Sequence, residues 1–352
     1  LNRSIPAPVH RRSGHWLAAL FTLMTCCLPA AWAADSGFAQ RPQVQAFIQK
    51  MVTQDKFDRA YLEHLFDKVE PQPAVIAAMK RPAESLPWYK YRRIFLTQQR
   101  IREGVTFWRQ HHAALERAQK TYGVPPQVVT AIIGVESFYG RRMGGFPVLD
   151  TLATLGFDYP PRADFFRRQL AQFLLLARDE GIDPLQPKGS YAGAMGQGQF
   201  MPGSYRHYAV DFDGNGQRDL WNDPVDAIGS IANYLARHGW QAGGFVAERA
   251  RIDGRGVEAL SSGLKPSLMP TALHAAGVRL DKPLASKNLY AWVRLETAHD
   301  PEFWVTGQNF YVITRYNISA LYAMAVYQLS EAIQSAYQQQ ARAAEVADKH
   351  AP

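Results

Sequence analysis

Apolar residues along this chain change their spacing several times, and the changes divide it into parts. From Pro42 to about Tyr122 the period is helical: Val44, Phe47, Ile48, Met51 and Val52 recur on one face, and Ala60, Leu62, Leu65 and Phe66 continue the pattern. A second helical block runs from Pro125 to about Gly239. It is broken by glycine-rich stretches at 140–145 and 189–203, where backbone without Cβ atoms can turn sharply or approach a ligand. Between Gly243 and Thr314 the period falls to two. Leu289, Ala291, Val293 and Leu295 alternate with Tyr290, Trp292, Arg294 and Glu296, and Phe310-Tyr311-Val312-Ile313 follows, so strands are expected in both places. Helical spacing returns from Ile318 to about Val346. The expected fold class is mainly α with a small β module.

The first 34 residues follow another rule. Arg3, Arg11 and Arg12 precede an apolar run from Trp16 to Leu28, then Pro29 and the small-x-small triplet Ala31-Trp32-Ala33. This is the order of a secretory signal peptide cut after Ala33. The run is shorter than the roughly 20 residues that span a bilayer, so no stable membrane anchor is expected. Cys26 and Cys27, the two cysteines of the chain, both fall in the leader, so the mature protein has no disulfide, zinc-thiolate site or cysteine nucleophile.

With 352 residues, 47% hydrophobic and 12% aromatic, the chain can build a sizeable core. Loss of the leader leaves 36 Lys and Arg against 31 acids, a net +5, with no Lys/Arg run of the nucleic-acid type. Weak attraction to anionic polymers fits this charge, and nucleic acid is not an expected partner.

The candidate chemistry centres on one carboxylate. Pro125-Pro126 fits a helix start, Val129, Ile132 and Ile133 mark its buried stripe, and Glu136 follows on the same face, with Gly140 as the expected stop. A carboxyl held there loses hydration and keeps its proton to higher pH, the state a general acid needs. Spacing leaves the alternative standing, a buried Glu held by Arg or backbone donors. Glycosidases commonly pair two carboxylates. Asp150, Asp158, Asp179, Glu180 and Asp183 are near in sequence, but spacing puts none of them opposite Glu136.

Around Glu136 the ordered strings are long. Gly134-Val135-Glu136-Ser137, Gly140-Arg141, the run from Ser190 to Pro202, Asp226-Ala227-Ile228-Gly229-Ser230 and Asn309 to Asn317 together resemble the lytic murein transglycosylase B family, over roughly Trp88 to Leu329. The resemblance implies a goose-lysozyme-like catalytic core with an added helical lobe. Together with the leader and the changes of period, the expected parts are a signal peptide (1–34), a helical lobe (35–122), the core with an EF-hand-like loop (123–242), the β module (243–305) and a return to the core with a C-terminal helix (306–352).

It also implies cleavage of the β-1,4 bond between N-acetylmuramic acid and N-acetylglucosamine without water, leaving 1,6-anhydromuramyl ends. Glu136 would be the single acid and base, the muramyl acetamide supplying the nucleophile in place of a second carboxylate. Ser190 matches a serine that hydrogen-bonds the acetamide, and Gln199 a polar residue lining the cleft beside the acid. Tyr91, Arg162, Tyr234, Tyr316, Asn317 and Tyr322 match cleft positions that stack on sugars or hydrogen-bond them; core packing is the competing reading for each Tyr. Gln197 departs from the family, which often has an aromatic residue there, and this bears on subsite preference. The leader gives the periplasm as the expected setting; the resemblance implies the peptidoglycan glycan strand as partner, with proteins of cell-wall synthesis or hydrolysis as further candidates.

One loop suggests a cation. Asp211, Asp213 and Asn215 occupy positions 1, 3 and 5 of an EF-hand pattern, Gly216 the turn and Gln217 the backbone-carbonyl position, but position 12 is Asn222, not Glu. Resemblance supplies a displaced closing acid, Asp226, with Asp223 as the alternative. The competing reading has Asp223 and Asp226 capping the helix that Pro224 begins. A structural Ca2+ on Asp211, Asp213, Asn215, Gln217 and Asp226, and no organic cofactor, is the expectation. A hydrolytic muramidase and a non-catalytic murein-binding scaffold remain as alternatives, whereas a calcium sensor would need paired loops and a Met-rich groove.

Overall fold

Proline opens many of the helices, as its fixed φ and missing N–H suit a first turn: α1 (Pro42–Asp55), α3 (Pro73–Met79), α7 (Pro126–Ser137), α10 (Pro202–Tyr208), α11 (Pro224–Arg237) and α12 (Pro270–Ala275). Side chains cap others. Asp58 accepts from the Tyr61 N–H ahead of α2 (Arg59–Asp67), and Thr97 from the Arg100 N–H ahead of α5 (Gln98–Gln110). With α4 (Trp88–Phe95) and α6 (His112–Tyr122) these complete the first helical block. The computed structural model describes residues 37–80, 86–254, 256–260 and 263–349, and the expected leader lies outside them. From Gly37 onward the described chain packs as one unit.

At the centre is α7, flanked by α5, α6, α11 and the long α14 (Ala320–Lys349). Every residue of α7 is buried except Gln127 and Glu136. The helix is therefore apolar on all sides and not on one stripe, and Glu136 marks where it reaches the surface. Next to it α8 (Val148–Asp158) and α9 (Ala163–Asp179) pack as a pair, and α10 lies on α9.

Short antiparallel strands β1 (Phe146–Pro147) and β2 (Lys188–Gly189) pair Phe146 with Gly189 and bring the two glycine-rich stretches together. The expected β module is a four-stranded antiparallel sheet of β3 (Ala247–Ile252), β4 (Val278–Arg279), β5 (Ala291–Leu295) and β6 (Glu302–Thr306), in the order β4-β3-β6-β5. It has its own small core around Leu273, Val278, Tyr290 and Val305.

The strand expected at Phe310–Ile313 is instead part of a helix, α13 (Gln308–Tyr316). Phe310, Ile313 and Thr314, three and four residues apart, are buried together. A four-residue apolar run does not by itself separate strand from helix. No described helix is long and apolar enough to cross a membrane.

Candidate active site

Glu136 stands one residue before the end of α7, half-buried. The helix does not run on to Gly140 as expected. Phe138 and Tyr139 take left-handed conformations at φ 52° and 60°, and Gly140 follows at 80°. Two consecutive non-glycine residues there cost on the order of 1–3 kcal/mol each, and such strain persists only where the surroundings impose it. Ser137 helps: its hydroxyl accepts from the Gly140 N–H at 3.0 Å and its carbonyl from the Arg142 N–H at 2.7 Å.

Two tyrosines from other elements face the carboxylate, and a third faces one of them. Tyr322 on α14, only 2% exposed, donates its hydroxyl to Glu136 Oε1 at 2.5 Å. Burial first, and the facing Glu136 charge second, push the Tyr322 hydroxyl well above its ordinary pKa. Tyr316, at the end of α13, is raised by the same two causes in the same order, and it donates to the Gly198 carbonyl at 2.5 Å. Tyr91 on α4 interacts electrostatically with Tyr322.

Three of the tyrosines expected to stack on sugars or hydrogen-bond them are buried. Tyr91 is 1% exposed and packs on Trp88 and Phe95, so neither its ring nor that of Tyr322 offers a face to a sugar. Tyr234 is buried as well, lies 4.9 Å from the Tyr316 ring, and donates to the Arg315 carbonyl; burial pushes its pKa up to about 12. Asn317 ends α13 beside Tyr316 and is half-buried. Arg162 is exposed and lies over the Phe165 and Phe166 rings, apart from the tyrosine cluster in its contacts.

Ser190 and Gln199 share the glycine-rich loop after β2. The Ser190 hydroxyl accepts from the N–H groups of Ala192 at 3.2 Å and Ala194 at 3.1 Å. With both acceptor positions used, what it has left to give is its proton. Gln199, at φ 50°, donates to the carbonyls of Gly196 at 2.9 Å and Met143 at 3.0 Å, which ties the loop to the turn after α7 and leaves its amide oxygen as the acceptor. Gln197 is 4% exposed and bonded to Leu220 and Trp221, so it links this loop to the segment before α11.

Asp150, Asp158, Asp179, Glu180 and Asp183 all have partners of their own. Asp158 pairs with Arg41, Asp179 with Arg206 and Glu180 with Arg218. Asp150 faces Gln72, and Asp183 accepts from the Leu185 N–H. None of these contacts brings a second carboxylate to Glu136.

In the cation loop, oxygens of Asp211, Asp213 and Asp226 lie within 4.8 Å of one another. Asp226 is fully buried and accepts from the N–H groups of Phe212 at 2.6 Å and Asp219 at 2.9 Å; burial raises its pKa against those two bonds. Asp223, by contrast, accepts from the Val225 N–H and caps α11. The capping reading thus holds for Asp223 but not for Asp226, which turns back to the loop. A buried carboxylate with two acidic neighbours is a donor set that a hard divalent cation would neutralise. The Asn215 side-chain oxygen and the Gln217 carbonyl are the remaining oxygens of the pattern.

Sequence reasoning did not single out Arg100, Tyr139 or the left-handed turn, because nothing in the local string Ser137-Phe138-Tyr139-Gly140 announces positive φ before the glycine.

Comparison with known proteins agrees with this architecture. The transglycosylase SLT domain family matches residues 39–331. The membrane-bound lytic murein transglycosylase B of Escherichia coli (strain K12) is 45% identical over 306 residues, covering 84% of this chain and 84% of that protein. The structure of soluble lytic transglycosylase SltB1 from Pseudomonas aeruginosa superposes with a TM-score of 0.80 at 48% identity, covering 84% of this chain and 99% of that one. That of the Escherichia coli lytic transglycosylase Slt35 in complex with calcium gives 0.80 at 46% identity, covering 85% of this chain and 95% of that one.

Proposed function

The chain belongs to the transglycosylase SLT domain family and is a lytic murein transglycosylase, and from that premise we propose that Glu136 alone supplies its acid and then its base. The observation that carries this reading is the half-buried Glu136 carboxyl at the exposed end of an otherwise buried helix, bonded to Tyr322, while Asp158, Asp179 and Glu180 are paired elsewhere.

Protonated Glu136 gives its proton to the glycosidic oxygen as the bond to the muramyl anomeric carbon breaks. The muramyl acetamide carbonyl closes on that carbon as an oxazolinium ion, with the Ser190 proton holding the acetamide in place. The C6 hydroxyl then attacks the anomeric carbon, the oxazolinium opens, and Glu136, now ionised, takes the hydroxyl proton. Both products leave without water added, and Glu136 ends protonated as it began. Tyr322 bonds the carboxylate in its charged interval. Gln199, through its free amide oxygen, and Asn317 are the polar groups of the cleft, and Tyr316 frames it through Gly198.

The cation loop fits calcium, held by Asp211, Asp213, Asn215, the Gln217 carbonyl and Asp226. Its contribution there is structural, since it would tie the loop to α11 through Asp226. The leader and the murein substrate support a periplasmic site of action.

The test is digestion of purified murein with product analysis by mass spectrometry. Anhydromuramyl ends are expected from the wild type, and Glu136→Gln should release none. Reducing ends would instead make the protein a hydrolytic muramidase, and undiminished release by Glu136→Gln would refute the assignment of the acid.

A further inference from the structure

At the end of α7 the Phe138 and Tyr139 N–H groups both turn to the Ile133 carbonyl. The Gly134 carbonyl, one of the acceptors a helix C-terminus leaves over, takes its bond from a side chain on α5: Arg100 Nε donates to it at 2.9 Å. Arg100 is 7% exposed. Its Nη1 donates to the Ile94 carbonyl, and its guanidinium lies 5.2 Å from the Phe95 ring centre and 4.9 Å from that of Phe138. The Arg100 carbonyl in turn accepts the Tyr139 hydroxyl at 2.7 Å. That hydroxyl sits in a slot between two helices, where a Cβ at Gly104 or at Gly134 would stand 2.6 Å from it. One residue therefore grips the chain at 134, 138 and 139, on both sides of Glu136.

Packing alone does not account for a charge at this point. A buried guanidinium is costly to desolvate, and a Met of similar reach would fill the space without that cost. What Met lacks is donors for the Gly134 carbonyl and a cation for the Phe138 face. Those are the contacts that hold Phe138 and Tyr139 in the left-handed region. A cation at a helix C-terminus is also favoured by the helix dipole.

We propose that Arg100 is a positioning residue for the transglycosylase reaction: it pins the left-handed turn that ends α7 and so fixes the direction of the Glu136 carboxyl, whose tip Tyr322 holds. This rests on Glu136 as the acid. The Arg100 guanidinium bonds to the backbone carbonyls of Gly134 and Ile94, and it acts through the backbone.

The test measures kcat and KM on soluble murein fragments for Arg100→Met, Arg100→Lys and Tyr139→Phe in the full chain, with Glu136→Gln beside them. A misplacement of about 1 Å costs roughly a hundredfold in rate, so Arg100→Met should lower kcat by about 30- to 100-fold with KM within about twofold. Lys can keep one bond, to Gly134, but not the fork, so Arg100→Lys should recover kcat to within about tenfold. Tyr139→Phe loses one neutral hydrogen bond of about 1 kcal/mol, and its kcat should fall roughly fivefold.

Wild-type kcat in Arg100→Met, or a loss carried by KM, overturns the proposal. If Arg100→Met does not fold, Arg100→Lys and Tyr139→Phe decide, and wild-type kcat in both overturns it. Inactive Glu136→Gln beside fully active Arg100 variants refutes the positioning role alone. Active Glu136→Gln refutes the acid, and the positioning role with it.

Discussion

Replacing Tyr322 by Phe removes one oxygen from a side chain that is 2% exposed and leaves its ring in place. The perturbation is thus confined to the hydrogen bond at 2.5 Å to Glu136 Oε1. A bond to a charged partner is worth about 1.5–3 kcal/mol and one between neutral groups about 0.5–1.5 kcal/mol. In the proposed mechanism Glu136 enters the first step protonated and leaves it ionised, so the bond strengthens along the step. Only the difference, about 1–1.5 kcal/mol, acts on the rate, and kcat should fall roughly five- to tenfold. KM should stay near the wild-type value, since the hydroxyl bonds the acid and not the sugar.

The pH dependence has a definite sign. The Glu136 charge is among the causes that raise Tyr322, and by reciprocity the Tyr322 hydroxyl favours ionised Glu136. Without it Glu136 keeps its proton to higher pH, so the alkaline limb of the kcat profile moves up. Tyr316, which the Glu136 charge also faces, remains in place, so the shift belongs to the lost bond. The assay is the initial rate of anhydromuropeptide release across the pH range, quantified by chromatography. An unmoved or falling alkaline limb, or an unchanged kcat, refutes the reasoning.

Two further perturbations probe the frame of the site. Calcium at a hundred times its Kd would add roughly 2.7 kcal/mol to the folded state, so chelation should lower Tm by several degrees and Asp226→Asn should abolish that response; superimposable melting curves with and without calcium would refute the site. At Gly144, with φ 93°, a Cβ would stand 2.0 Å from the Gly189 carbonyl oxygen, which is backbone. Gly144→Ala should therefore part β1 from β2, displace Ser190, lower Tm and raise KM, while Gly145→Ala, with nothing within 4 Å of its Cβ, should leave both unchanged; equal behaviour of the two variants would count against the close approach.

What the sequence made legible follows from how local its causes are. The cation loop could be read because Asp211, Asp213, Asn215 and Gln217 fall within one turn of chain, and the residue spacing is itself the geometry. The proposed closing acid, Asp226, came only through resemblance, since the choice between Asp223 and Asp226 depends on which carboxylate α11 turns inward. Periodicity found α7 from Val129, Ile132 and Ile133, but it described a one-sided helix, whereas neighbours on every side bury it. The same limit explains Phe310–Ile313, where four apolar residues in a row fit either period until the core around them chooses.

The aim of Glu136 was the least legible feature, because its causes are far away in the chain. The carboxyl meets a tyrosine 186 positions later, and the carbonyl two residues before it meets an arginine 34 positions earlier. Neither distance leaves a mark in the string around Glu136. The left-handed turn at Phe138 and Tyr139 is unfavourable by itself, so a local reading assigns it no weight, and it exists because α5 and α14 close on α7 from two sides. A family motif can name the residue that does the chemistry. The direction in which that residue points is a property of the packed core, and it is formed only when the core is.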